Sequence, residues 1–311
     1  LQRIGEYIPI RKMHVFASLA STAEHIDVDG DELVVKGLQE TGIPTDIRSS
    51  LHLVILCCPI ALAKKWGPEL AEEGIAVVDM TGGLGESIGY SLQGLSDREE
   101  DFQSHRMISL PSPSIAMMAR IWQAVQNFKP IQMSAVISVS ASRFGQQGIE
   151  ELAKQVRGLL NFQDAPQSVF PDGLAFDILP SLEGLSDIGL TEEGAALALA
   201  DLTLLEQHRF RSRIQVAPIF SGISMHVQIA LGENPMPENM TDVLTQNQWL
   251  TLQPTLPNLR LVSGSSEVLV GRVQSNPWIQ GIDLQLQADN VSLAVSNALS
   301  IAQQLHTQEL I

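Results

Sequence analysis

Thiols are nearly missing from this chain. Its two cysteines, Cys57 and Cys58, are neighbours in an apolar run within 311 residues. Adjacent strand residues point to opposite faces, so these two are not expected to pair. That excludes a disulfide-stapled fold and fits a reduced, cytoplasmic compartment. Basic residues are scarce too, with 19 Lys and Arg against 35 Asp and Glu and a formal net charge of −16. Polyanions are repelled by such a surface, so no nucleic acid and no anionic membrane is expected as a partner. The sequence has no run of 18 apolar residues and no visible signal peptide, although it starts at Leu1. Its seven histidines are scattered without ligand spacing, and the carboxylates show no ligand pattern, so no metal is expected.

What is present is apolar patterning. Hydrophobic residues make up 44% of the chain, enough for a sizeable core and for two domains. The first third alternates strand and helix. "KMHVFAS" (12–18), "DELVVKG" (31–37), "LHLVILCCP" (51–59), "IAVVDM" (75–80) and "RMISL" (106–110) read as strands; 60–74 and 114–128 read as helices. That order predicts an α/β fold with a parallel sheet covered on both faces. From about residue 130 long strands follow with few helices between them: 131–142, then "RIQVAPIFSG", "ISMHVQIAL", "SEVLVGRV" and "WIQGIDLQLQ". A mixed or largely antiparallel sheet is expected there, with helices at 148–161 and 191–206 and a closing helix from "NVSLAVSNAL" onward.

A doubly wound nucleotide-binding sheet opens with a strand, a Gly-rich loop and a helix. This chain opens with "LQRIGEYIPIRKMHVFAS", which reads as a helix end running into the second strand. The first strand of such a sheet lies in its middle, and omitting it would leave two buried ladders unmade. The expectation is a preceding strand–loop–helix unit of roughly 20 residues.

Between the strand at 106–110 and the next helix lies "LPSPS", a platform of the kind that carries a nucleophile in many α/β enzymes. Ser114 reads as the helix N-cap rather than a nucleophile, because a serine hydroxyl needs an adjacent base. Cys57 and Cys58 read as small buried hydrophobes, and the glycine-rich "TGGLGESIG" (81–89) as a flexible connection.

Five segments carry a resemblance. "SVSASRFGQQGIEEL" (138–152) resembles the Ser-Gly-Ala-Gly…Gly…Glu-Leu strand–loop–helix of aspartate-semialdehyde dehydrogenases, and "GLAFDILPSL" (173–182) resembles their Ile-Ala-Phe-Asn-x-x-Pro segment. "VAPIFSGIS" (216–224), "VLVGRV" and "ADNVSLAVSNAL" resemble three further family segments in the same order. The likeness is nearest to the divergent Usg-like branch, whose members lose catalytic residues.

That resemblance implies a Rossmann-type domain over 1–129, an α+β dimerisation domain over 130–287, and a closing helix, 288–311, returning to the first domain. It implies NADP as cofactor and reduction of an acyl phosphate through a cysteine thioester. The family's thiol falls on Ser114, or on Pro113 in a register shifted by one; its Gln falls on Val139 and its general-base His on Ile223. Its substrate arginine falls on Gly85, none stands between Ala195 and Gln207, and the Arg-Lys pair falls on Ser292 and Leu293. Ser142, Gly145 and Asn297 match cofactor-side positions, so a vestigial nucleotide site and a structural role stand side by side. The resemblance implies a non-catalytic binding or scaffold protein; the alternative is an NAD(P)-dependent oxidoreductase with altered chemistry. A homodimer is expected, because Val216, Ile219, Ile223, Met225, Val227 and Ile229 read as apolar on both faces of their strands.

Overall fold

The computed structural model describes every residue except 1–2, 20–23, 29, 39–41, 97–98, 165, 181–190 and 234–236. Its first part comprises β1 (Phe16–Ala17), β2 (His25–Val28), β3 (Asp31–Val34), β4 (Lys36–Gly37), α1 (Thr45–Arg48), β5 (Leu53–Leu56) and α2 (Ile60–Glu72). It continues with β6 (Ala76–Asp79), α3 (Gly85–Ile88), α4 (Glu99–His105), β7 (Met107–Ser109) and α5 (Pro113–Ala124). The second part holds β8 (Pro130–Val139), α6 (Gly145–Leu160), α7 (Glu192–Thr203), β9 (Phe210–Val216), β10 (Ile223–Leu231) and α8 (Pro237–Gln246). It ends with β11 (Leu250–Leu252), α9 (Leu259–Val262), β12 (Val268–Asn276), β13 (Gly281–Ala288) and α10 (Asn290–Thr307).

The expected α/β class is borne out. Strands β5, β6 and β7 form a parallel sheet in that order, and β1 pairs with β4 in a separate parallel ladder. All four residues of β6 are buried, as a strand covered on both faces requires. One cover is α10, whose Ala298, Ile301 and Leu305 pack with Ala76, Val78 and Ile108. The segment 12–18 is shorter as a strand than its sequence suggests, because only Phe16 and Ala17 find a partner strand.

The second sheet has the order β11-β12-β13-β10-β8-β9 and is mixed: β8–β9 and β11–β12 are parallel, the other pairs antiparallel. Strand β9 and most of β10 alternate in burial. Ile223, Met225, Val227 and Ile229 share one buried face, and the intervening Ser224, His226 and Gln228 are half-buried on the other. This corrects the reading of apolar side chains on both faces: strand period two places the odd-numbered positions together. The apolar face is covered by α5 and α7, and Trp122 meets Phe210 edge to face at 4.9 Å.

Two buried carboxylates organise loops. Asp79 is fully buried and accepts from the Thr81 amide (2.8 Å), the Thr81 hydroxyl (2.6 Å), the Leu84 amide (2.9 Å) and the Ser109 hydroxyl (2.8 Å). The glycine-rich stretch expected to be flexible is therefore a held turn that leads into α3. Tyr90 packs where a Cβ on Gly85 would lie, 2.1 Å away. Glu151 accepts from the amides of Ser168 and Val169 at 2.9 Å and of Phe170 at 2.8 Å. One turn on, Gln155 accepts from the amides of Leu174 (2.7 Å) and Ala175 (3.1 Å).

Removing the Glu151 carboxylate leaves three amides without an acceptor at a site 5% exposed. Bonds to a charged group contribute about 1.5–3 kcal/mol, so Glu151→Ala should lose about 3 kcal/mol in urea unfolding. A loss below about 1 kcal/mol would show that the loop holds itself. A second expectation concerns alkaline pH. Burial, then the charges of Glu86, Asp201 and Asp79, push the Tyr90 phenol up to about 12 from its ordinary 10. The folded state favours the neutral phenol, so this stabilisation is present below pH 10 and is lost between pH 10 and 12. Tyr90→Phe should flatten that decline in urea midpoints; an unchanged slope would rule Tyr90 out as its source.

Candidate functional site

The platform after β7 is built as Pro111-Ser112-Pro113, and the helix starts one residue earlier than expected. Ser112 occupies the N-cap position and Pro113 the first helical position. This corrects the assignment of the cap to Ser114. A residue before proline is driven to extended backbone, and Ser112 has φ −57° and ψ 154°, whereas proline suits the first turn. Ser114 lies in that turn and is buried. The Ser112 side chain makes no cap bond, and its Oγ is buried with no partner among the described residues. The proline spacing in "PSPS" was the signal that could have identified it.

Two positions far apart in sequence meet in register. Val139 at the end of β8 lies directly opposite Ile223 at the start of β10, and Ile223 is also opposite Ala288 of β13. Val139 and Ile223 are 1% and 3% exposed, and both belong to one continuous apolar cluster with Ile115 of α5 and Leu293 of α10. The positions where the resemblance places a glutamine and a base are therefore brought together and filled by hydrocarbon.

On the cofactor side, Ser142 follows β8 in a single 3₁₀ turn. Its hydroxyl donates to the Asn290 side-chain oxygen at 3.0 Å and lies 2.9 Å from the Ser140 hydroxyl. The same Asn290 oxygen accepts from the Gly222 amide at 2.9 Å. Gly222 has φ +99°, and a Cβ there would meet Leu259 at 2.7 Å, so glycine is required. Gly145 has φ +69° with open space beside it, which fits a positive-φ turn into α6. Asp289 caps α10 by accepting from the amides of Val291 and Ser292. Asn297, two turns along α10, keeps a buried Nδ2 with no partner among the described residues. Ser142 and Asn290 are thus tied to each other, and Asn297 is not tied.

Two arginines escaped the sequence reading. Arg143, beside Ser142, is desolvated enough to bring its guanidinium down to about 10. Arg120 is buried in α5 and lies 3.8 Å over the Trp249 ring. Neither falls on a family arginine position; Gly85 starts α3, and Ser292 and Leu293 lie in the first turn of α10. Cys57 is exposed and Cys58 half-buried, which corrects their reading as core residues, because β5 ends at Leu56 and both lie in the loop beyond it. Burial still pushes the Cys58 thiol up to about 11. Among the described residues no three His, Cys, Asp or Glu side chains converge in a way that could hold a metal.

Comparison with known proteins gives this geometry a relation. Aspartate-semialdehyde dehydrogenase 2 of Vibrio cholerae is 26% identical, the match covering 96% of this chain and 90% of that protein. The Legionella pneumophila aspartate-semialdehyde dehydrogenase is also 26% identical, over 97% and 90%. The crystal structure of the Vibrio cholerae enzyme II superposes with a TM-score of 0.87 at 25% identity, over 98% and 93%. That of a Candida albicans aspartate semialdehyde dehydrogenase with NADP superposes with a TM-score of 0.70 at 14% identity, over 100% and 96%. Residues 118–293 match the dimerisation domain of semialdehyde dehydrogenases. Spanning more than half of the sequence, that match places this chain in the semialdehyde dehydrogenase family.

Proposed function

We propose that this chain is a non-catalytic member of its family, of the Usg-like kind, that serves in the cytoplasm as a binding or scaffold protein. One observation carries the reading: the Val139–Ile223 pair buried with Ile115 and Leu293 in a single apolar cluster. Acyl transfer from a phosphate needs a nucleophile, a proton acceptor and anion-binding groups in one place. Hydrocarbon at the acceptor position moves no proton. A second reading, an oxidoreductase with altered chemistry, draws on the Ser112 hydroxyl, buried and without a partner at the start of α5.

The organisation behind this proposal is a Rossmann-type domain over 1–129, an α+β domain over 130–287 and a closing helix over 288–311. The residues present fit NADP in part. Asn297 keeps a free buried amide donor, whereas Ser142 is already satisfied by Asn290. Bound NADP would supply a hydride acceptor; what this chain offers is the Asn297 amide and the positive-φ turn at Gly145. NADP at a hundredfold over its Kd should then stabilise the fold by about 2.7 kcal/mol, and Asn297→Ala should weaken that effect.

Activity tests the main reading. Purified protein should show no phosphate-dependent oxidation of aspartate semialdehyde above the protein-free background. Turnover abolished by Ser112→Ala or Ser114→Ala would favour the second reading. Ser114→Cys alone should stay silent, because Val139 and Ile223 still supply no base.

The homodimer is proposed on a corrected ground. The open face of the second sheet carries Ser138, Ser224, His226, Gln228 and Gln285, with Val136 42% exposed among them. This sheet lies in the part of the chain that matches a dimerisation domain, and two-fold closure is the commonest symmetry between copies. Light scattering should report about twice the monomer mass at micromolar concentration, and Val136→Glu should lower it. A wild-type monomer there would overturn the dimer.

A further inference from the structure

Around the middle of the second sheet's open face the polar side chains are joined to one another, and the imidazole at that middle is not. Ser134 donates to Gln228 at 3.4 Å, Gln228 donates to Asp283 at 3.1 Å, and Asn276 donates to the same carboxylate oxygen at 2.7 Å. Gln215 donates to Ser138, while Gln285 and Gln287 both donate to Ser224, each at 2.9 Å. His226 stands among these pairs on β10, half-buried, and its ring nitrogens bond to no described side chain.

Its place is central. Strand β10 has β13, β12 and β11 on one side and β8 and β9 on the other. The row through it reads Gln285, His226, Val136, Arg213 across four adjacent strands. Little charge surrounds it. Strand β8 has no ionisable residue, and β13 has only Asp283, which lies diagonal to His226 and already accepts from two amides. Farther out stand Arg211 and Arg213 on β9, the latter paired with Glu192 of α7, and Arg272 on β12.

We propose that His226 makes the pairing of two copies of this chain sensitive to pH: the dimer forms while the imidazole is neutral and loosens once it is protonated. The inference rests on the homodimer proposed above through this sheet. Closed pairs are related by a two-fold axis, and an axis through the middle of the face sets His226 beside its own copy. Facing sheets lie about 10 Å apart with their side chains interleaved, so two imidazoles there lose water together. Neutral rings can meet and cover the exposed Val136 beside them. Two imidazolium ions repel, and each gives up hydration where the one nearby carboxylate, Asp283, is already engaged. Imidazoles change charge between about pH 5 and 8. Because the interface disfavours the charged form, association is complete at the upper end of that range and declines as pH falls.

Sedimentation equilibrium of the full chain at constant salt, at about pH 8 and about pH 5.5, reads the dimer dissociation constant on both sides of the imidazole range. At the lower pH it should rise by about tenfold or more, as two unit charges about 10 Å apart in a partly wet interface imply. His226→Gln should dimerise equally at both pH values, and His226→Lys, charged throughout, should dimerise weakly at both. Urea midpoints equal to that of the wild type check that both variants are folded. A wild type that dimerises equally at both pH values, or a His226→Gln variant that keeps the full response, would overturn the role of His226 and leave the dimer standing. A wild type that is monomeric at both would overturn the dimer itself, and this inference with it.

Discussion

The β8–β10 ladder is the constraint on which the rest of this protein depends. From Ile223 opposite Val139 to Ala230 opposite Gln132, it sets which side chains enter the core. A slip of one residue would turn Met225, Val227 and Ile229 outward and bring Ser224, His226 and Gln228 against α5 and α7. No gradual error is available, because strand period is two. The same register fixes where α10 begins, since β13 pairs with β10 and delivers Asp289 and Asn290 beside Gly222.

Around that ladder the loops are held by two buried carboxylates. Asp79 and Glu151 are buried carboxylates whose acceptor capacity is taken up by backbone amides and hydroxyls. Charge-assisted bonds of this kind are among the stronger ones in a fold, and an interior carboxylate without them would be costly. Because these clamps are separate from Val139, Ile223 and Ser112, the architecture does not depend on a working nucleophile or base.

Much of the fold was legible in the sequence because its signals are local. The apolar runs at β5 and β6 and the amphipathic α6 declare themselves within a few residues, and the "ADN" before α10 announces a cap that Asp289 indeed makes. The resemblance named Val139 and Ile223, but only the ladder shows that they touch the same space. What was not legible is contextual. Nothing local marks Ser112 rather than Ser114 as the N-cap except the bias of a residue before proline. The held turn at 81–84 depends on a carboxylate at Asp79 and a hydroxyl at Ser109, thirty residues apart in sequence. Alternation in β10 was obscured by Ile219 and Val216, which belong to a different strand and its following loop.

The pattern of what stayed polar has a physical explanation that separates scaffold from site. Val139 and Ile223 lie in strands, and Leu293 lies in the first turn of α10; each is apolar and buried, and such burial needs no partner. Asp289 caps α10, and Asn290 holds the Ser142 hydroxyl and the Gly222 amide, so each of these three has a structural partner whatever the protein does. Their polarity therefore carries no message about a ligand. Asn297 lies inside a helix, where its amide meets no such need, and Ser112 sits at a cap yet makes no cap bond. A buried polar atom that serves neither backbone nor side chain is a cost to the fold. Those two groups, rather than Ser142, Asp289 and Asn290, join Trp122 Nε1 and Ser212 Oγ as buried polar atoms that the described scaffold leaves without a partner.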